Sequence, residues 1–163
     1  MKWWKWVLLV LAVVFVGIQV VRPSLANPPV DESKTIDASM QVPADVHAIF
    51  ERSCVDCHSN KTVWPWYSQI APVSWLLADD VKDGRKEMNF SEWGTYKERR
   101  KARKLKEICE QVKEEEMPLW FYVPLHPSAK LSDVDRARLC EWTSSLAAAA
   151  APSETKGPAE AKP

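Results

Sequence analysis

The sequence predicts an all-α fold, and three observations indicate it. Several segments repeat apolar residues at helical spacing, and none alternates apolar and polar residues over the length of a strand. Only 4 glycines occur among the 163 residues, which argues against a β-sandwich rich in tight turns and against a Gly-rich nucleotide fold. The 12 prolines separate the helical segments. We therefore expect a small helical domain preceded by an apolar N-terminal helix.

The N-terminal segment is directed to a membrane. An apolar run from Val7 to Ile18 follows a cluster of three tryptophans and two lysines. Residues 6–21 would form about 24 Å of helix, slightly less than the roughly 30 Å hydrocarbon layer of a bilayer. We predict that residues 1–22 are a single-pass anchor in the inner membrane, and the alternative is a signal peptide with its cleavage site at Ser24–Ala26. Both interpretations place the rest of the chain in the periplasm.

Composition divides the remaining chain into three parts. Residues 23–41 contain Asn-Pro-Pro, mixed charge and no apolar periodicity, which indicates an extended linker. Residues 42–147 form the predicted folded domain, which at about 100 residues has a marginal core unless a disulfide or cofactor stabilises it. Residues 148–163 are predicted to be a disordered tail.

Four helices are predicted within the folded domain. Each is bounded by a cap residue or a proline, and Gly84 is expected at the fraying end of the second. On the last helix we expect Val134, Leu139, Cys140 and Trp142 to be buried. The predicted helices run from Pro43 to the cysteines at 54 and 57, from Val73 to Lys86, from Asn89 to about Val112, and onward from Ser132.

The charge balance excludes one large class of partner. The chain has 22 basic and 22 acidic residues and a formal net charge of zero. Nucleic-acid-binding domains are usually far more basic, so no nucleic-acid partner is expected. One strongly basic run, residues 97–106, is either a solvated helix face or a surface that docks acidic lipid headgroups or an acidic protein.

One motif has recognisable chemistry. Residues 54–58 read Cys-Val-Asp-Cys-His, the C-x-x-C-H attachment sequence of c-type haem, in which both thiols become thioethers on the porphyrin. Two cysteines three positions apart lie about one helical turn from each other, so both can reach the same edge of one ring. His58 then follows as the proximal iron ligand. The motif therefore predicts one covalent haem c bound by Cys54, Cys57 and His58.

Other interpretations of the cysteines remain open. Cys54 and Cys57 can instead form a disulfide or a redox pair, although the thioredoxin-like motif expects a βαβ context. A zinc site would need a second closely spaced ligand pair, and Cys109 and Cys140 lie far apart in sequence. Cys109 and Cys140 are either a disulfide between the last two helices, as an oxidising compartment permits, or two separate buried thiols.

Several further segments accompany the motif. They are residues 53–60, 65–79, 89–93, 116–119 and 126–132, with Gln19 and Arg22-Pro23 before them. Together they resemble the small membrane-anchored haem-binding domain family of bacteria over about residues 18–146. The resemblance implies a single covalent haem c on an exported, mostly helical domain, similar to a small cytochrome c.

The resemblance also suggests the sixth iron ligand. In small cytochromes c a methionine between the haem motif and the last helix completes the coordination, and Met117 has that place in the chain order. His126, Met88 and an open or water-filled position are the alternatives. We further expect the tryptophans between Trp64 and Trp75 to pack against the haem, since a small core has little other use for so many aromatic rings.

These features predict a function in electron transfer. We expect a membrane-anchored, exported mono-haem c-type cytochrome that exchanges single electrons with an unidentified redox partner and is not an enzyme. One alternative is a haem-based sensor or small peroxidase, which needs an open distal position and, for peroxidase activity, an acid-base residue over the iron. Another is a non-haem structural domain with a Cys54–Cys57 disulfide.

Overall fold

The computed structural model describes residues 2–150 and confirms the all-α prediction, since that range contains helices and loops and no strand. Short 3-10 helices occupy four of the loops, at Glu32–Lys34, Trp66–Gln69, Phe90–Thr95 and Pro127–Ala129. Most of the predicted disordered tail, residues 151–163, lies outside the described residues. The α-helices are α1 (Trp3–Ile18), α2 (Ile36–Ser39), α3 (Ala44–Ser53), α4 (Val55–His58), α5 (Val73–Glu87), α6 (Glu98–Lys113) and α7 (Asp133–Ala150).

Helix α1 is apolar and lies outside the core. Its side chains are exposed from Trp3 to Gly17. Among the helices of residues 2–150, none is both long enough and apolar enough to span a bilayer. The predicted transmembrane anchor is therefore not supported, because the 16 residues of α1 fall short of the required length.

The segment predicted as an extended linker packs against the domain. The Asn27 amide donates to the Thr62 carbonyl at 2.8 Å, and its oxygen accepts from Arg85 at 2.7 Å. Further along, Ile36 is buried in the core. A side chain at Gly94 would meet the backbone of Lys34 at 3.1 Å, so the two segments approach closely. Residues 23–41 are thus part of the domain. They lack apolar periodicity and are held in place by contacts with residues distant in sequence.

The core forms where α3, α6 and α7 meet. A disulfide between Cys109 and Cys140 joins α6 to α7, with the two Cα atoms 4.7 Å apart, so the first of the two alternatives for this pair is confirmed. Of the residues expected to be buried on α7, Val134 is exposed because it precedes Leu139 by five positions and so lies on the side of the helix that faces away from the core. The main buried residues are Val46, Ile49, Phe50, Phe90, Trp93, Leu105, Ile108, Val112, Leu139 and Trp142.

The predicted third helix consists of two elements. The side chain of Asn89 caps the 3-10 helix Phe90–Thr95 by accepting from the Ser91 N–H at 2.9 Å. Helix α6 begins only at Glu98, after an extended residue at Tyr96. The break lets Trp93 enter the core completely while α6 runs along the cavity described below.

Candidate functional site

The C-x-x-C-H motif forms a single helical turn. Helix α3 ends at Ser53, Cys54 stands between the two helices, and α4 holds the rest of the motif. The His58 N–H donates to the Cys54 carbonyl at 2.9 Å, which closes the turn. Both cysteines are free thiols, so the Cys54–Cys57 disulfide of the alternative interpretation is not present.

The two thiols are not suited to thiol-disulfide exchange. Burial raises the pKa of Cys54 to about 12 and that of Cys57 to about 11, and the neighbouring Asp56 carboxylate adds to the second shift. Reactive redox cysteines have lowered pKa values, because the thiolate is the attacking species. A thioredoxin-like role is therefore disfavoured.

The His58 ring is oriented by backbone carbonyls of α5. Its Nδ1 lies 2.9 Å from the Gly84 oxygen and 3.1 Å from the Met88 oxygen, and both of these atoms can only accept. Nδ1 therefore carries the proton, which leaves the Nε2 lone pair free to bind a metal. Burial lowers the pKa of His58, so the neutral imidazole that coordinates iron is the favoured form.

Gly84 permits this arrangement. It lies inside α5, which continues to Glu87, so the expectation that it marks a fraying end is wrong. A Cβ atom at Gly84 would stand 2.7 Å from the carbonyl oxygen of Cys57 and 3.3 Å from its Cβ. Only glycine lets α5 approach the motif this closely. The sequence signal was a single glycine inside an otherwise helical pattern. Because glycine destabilises a helix interior, such a glycine often has a packing reason.

A mostly apolar cavity of about 640 Å³ opens beside the motif. This volume lies within the roughly 300–1,000 Å³ typical of cofactor sites. The cavity wall contains all four predicted site residues, Cys54, Cys57, His58 and Met117. The structure thus brings two thiols, an imidazole with a free nitrogen and a thioether to one apolar space, a donor set that fits a haem. Further lining residues include Leu77, Ile108, Val112, Leu119, Phe121 and Leu131.

The C-terminus of α6 carries Met117 to the cavity. Glu115 adopts a left-handed conformation with φ of 59°, and the Glu116 N–H donates to the Gln111 carbonyl at 3.0 Å. This is the Schellman arrangement that ends many helices. It turns the chain sharply after α6, so Met117 follows directly at the cavity wall.

The other two candidate ligands, Met88 and His126, are placed less favourably than Met117. Met88 also lines the cavity, but its backbone lies on the Nδ1 side of His58. His126 is not among the lining residues. Its ring stacks on Tyr122 with centroids 4.0 Å apart, and its Nε2 is hydrogen-bonded to the Tyr67 hydroxyl. The structure therefore gives His126 a role in holding two tyrosines together at the cavity.

The aromatic wall differs from the expected one. None of the tryptophans in the described range lines the cavity, whereas Tyr67, Phe121 and Tyr122 do. The Tyr122 hydroxyl donates to the Asp56 carboxylate at 2.9 Å. Burial raises the pKa of Tyr122, and the negative charge of Asp56 raises it further. The signal for Phe121 and Tyr122 was their place four and five positions after Met117, in a loop otherwise rich in proline.

Most charges of the basic run 97–106 are paired within the molecule. On α6, Lys101 pairs with Glu98 at 2.8 Å and Lys106 with Glu110 at 3.1 Å. Lys104 is buried between Glu87 and Glu107 at the cavity wall. The pairing favours the solvated helix face over a docking surface for acidic partners.

Comparison with known proteins supports the geometry. No curated protein and no solved structure matches the chain significantly. A family model described as a haem-binding domain matches residues 13–145, a range that contains every residue of the cavity wall. The resemblance seen in the sequence is thereby confirmed, and the chain belongs to the haem-binding domain family.

Proposed function

We propose that this haem-binding domain carries one covalent haem c and transfers single electrons. Cys54 and Cys57 are the attachment points, His58 is the proximal ligand and Met117 the second axial ligand. The observation that carries the proposal is the meeting of these four side chains at one apolar cavity, with the Nε2 atom of His58 left free. Haem iron held by histidine and methionine supplies one-electron chemistry in cytochromes c.

The protein groups have distinct roles in this proposal. The carbonyls of Gly84 and Met88 fix the orientation of the His58 ring and raise its basicity as a ligand. The mostly apolar lining suits a neutral thioether as a ligand. The backbone of Met88 lies on the Nδ1 side of the His58 ring, away from the free Nε2 atom. Met117 is therefore favoured over Met88 as the second axial ligand.

The proposal includes an exported location at a membrane. The Cys109–Cys140 disulfide is typical of an oxidising compartment, which supports the periplasm. Helix α1 exposes apolar side chains over nearly its whole length, which supports attachment to the inner membrane by partial insertion of this helix, without a complete span. The electron donor or acceptor is then a second protein that reaches the same membrane surface.

A second candidate is a haem-based sensor or small peroxidase. It is favoured by the Tyr67 hydroxyl, which lines the cavity and is hydrogen-bonded to His126. Such a pair can move a proton to or from a ligand on the iron. This function requires that Met117 does not coordinate.

One set of measurements separates these functions. We would express the full chain together with a c-type haem maturation system and measure the intact mass, which should exceed that of the bare polypeptide by one haem. The holoprotein should be low-spin, with a sulfur-to-iron charge-transfer band that disappears in Met117→Ala and persists in the control Met88→Leu. A mass equal to the bare polypeptide refutes covalent attachment. A high-spin ferric iron that binds small ligands without mutation favours the second candidate.

A further inference from the structure

One stretch of the domain surface is apolar and free of charge. No acidic or basic residue occurs from Thr62 to Ala78. Within this stretch the exposed apolar residues are Val63, Trp66, Ile70, Val73 and Leu76, and Trp66 is 77% exposed. We call these five residues the apolar shelf. A single exposed apolar residue is ordinary, but a series of them without an intervening charge marks a surface that contacts something apolar.

The apolar shelf is fixed to the end of α1. Gln19, directly after the helix, exchanges two hydrogen bonds with the Ala71 backbone, at 2.9 Å to its N–H and 3.1 Å to its carbonyl. The Trp75 indole N–H donates to the Val21 carbonyl at 2.7 Å. These bonds join the residues that follow α1 to Ala71 and Trp75, which are sequence neighbours of Ile70, Val73 and Leu76. The C-terminal end of α1 is therefore held beside the segment that carries the shelf.

Helix α5 marks where this surface ends. Its first turns hold Val73 and Leu76, and the next turn holds the exposed ion pair of Asp79 and Lys82. Lys82 follows Leu76 by six positions, which is about 9 Å along a helix axis. Exposed apolar side chains thus give way to charged ones over this distance, which sets the limit of the apolar surface on α5.

We propose that the apolar shelf rests on the lipid bilayer into which α1 inserts, at the level of the headgroups and the first acyl carbons. The proposal rests on the membrane attachment in the proposed function. A bilayer is favoured as the occupant because the shelf adjoins α1 and because Trp66 and Trp75 are residues enriched at membrane interfaces. The contact places the cavity wall made by Val73 and Leu76 at the membrane surface.

The test compares thiol accessibility at matched positions. Full-length holoprotein in phosphatidylcholine nanodiscs is treated with a charged, water-soluble maleimide, and labelling is followed by intact mass. Trp66→Cys and Val63→Cys are the shelf variants, because neither residue lines the cavity and Val63 is 75% exposed. Val134→Cys is the apolar control, since Val134 is 78% exposed, as much as Trp66, and α7 packs on α3 and α6. Lys82→Cys is the control on α5, and the wild type measures labelling of its own cysteines.

The shelf variants should react at least about tenfold more slowly than both controls, because a charged reagent enters the bilayer poorly. Equal rates at Trp66→Cys and Val134→Cys in nanodisc-bound protein overturn the shelf proposal and leave membrane attachment and haem binding intact. A shelf that becomes protected only when another protein is added also overturns it, since the occupant is then a protein. Failure of the chain to enter nanodiscs refutes the attachment itself, and haem content measured separately remains unaffected.

Discussion

Replacing Gly84 by alanine sets two effects of known size against each other. Alanine is favoured over glycine in a helix interior by about 0.8–1.0 kcal/mol, and Gly84 lies inside α5. Against this gain, the new Cβ would stand 2.7 Å from the Cys57 carbonyl oxygen and 3.2 Å from the carbonyl carbon. Overpacking of this kind costs about 1–3 kcal/mol. The obstructing atoms are backbone, which cannot rotate aside, so we place the cost at the upper end.

The net effect should be a loss of about 1–2 kcal/mol of unfolding free energy, obtained as the difference between these two contributions. At about 2–4 °C per kcal/mol, the melting temperature of the holoprotein should fall by several degrees. Displacement of α5 also lengthens the bond from His58 Nδ1 to the Gly84 carbonyl, so the yield of haem-loaded protein should fall too.

The assay is thermal unfolding of the holoprotein followed by circular dichroism, with haem content measured on the same samples. Gly17→Ala in α1 is the matched control, because a Cβ there would meet no atom within 4 Å. Helix propensity alone then acts, and this variant should not lower the melting temperature. If Gly84→Ala melts as high as the wild type or higher, the close approach of α5 to the motif is not what requires glycine.

Two further predictions concern stability. Replacing both Cys109 and Cys140 by alanine opens a loop of 31 residues, and the chain-entropy model gives a loss of roughly 3–4 kcal/mol in denaturant unfolding; a loss below about 1 kcal/mol would contradict that model here. Asp135→Asn should cost about 1 kcal/mol at neutral pH and less in acid. Burial tends to raise the pKa of Asp135, but hydrogen bonds from Ser132 and Arg52 lower it below the ordinary 3.8. The ionised Asp135 side chain therefore stabilises the fold fully above pH 3.8, and this stabilisation is lost as the pH falls through the folded-state pKa. Thermal unfolding of both proteins between pH 7 and pH 2 checks the sign, and a stability difference that grows in acid would refute it.

Local patterns predicted well where neighbouring residues decide the outcome. The apolar spacing placed the second predicted helix within one residue of α5, and Ser132 caps α7 by accepting from the Asp135 N–H at 3.1 Å. The haem-binding family was predicted from the motif and its companion segments, and the family match confirms it. The assignment of Met117 as a ligand stays a prediction, supported by its place in the cavity wall.

Contacts between distant residues account for the differences. The segment 23–41 gave no periodic signal, yet Asn27 is held by Arg85, 58 positions away. The tryptophans between Trp64 and Trp75 were expected around the haem, but none of them lines the cavity, and Trp75 is bonded to the chain leaving α1. A count of aromatic residues does not contain this information, because it says nothing about which surface each ring meets.

The amino-acid sequence alone determined which side chains could attach a haem, since two thiols and an imidazole within five consecutive residues stay close together in any compact local conformation. It also determined where most of α3, α5, α6 and α7 lies, because their apolar spacing is local. Only the tertiary structure decided which lone pair of His58 is free, why position 84 must be glycine and which aromatic rings line the cavity. Each of these depends on α5 and the loop after α6 lying against α4, and such contacts are fixed by the packing of the whole chain.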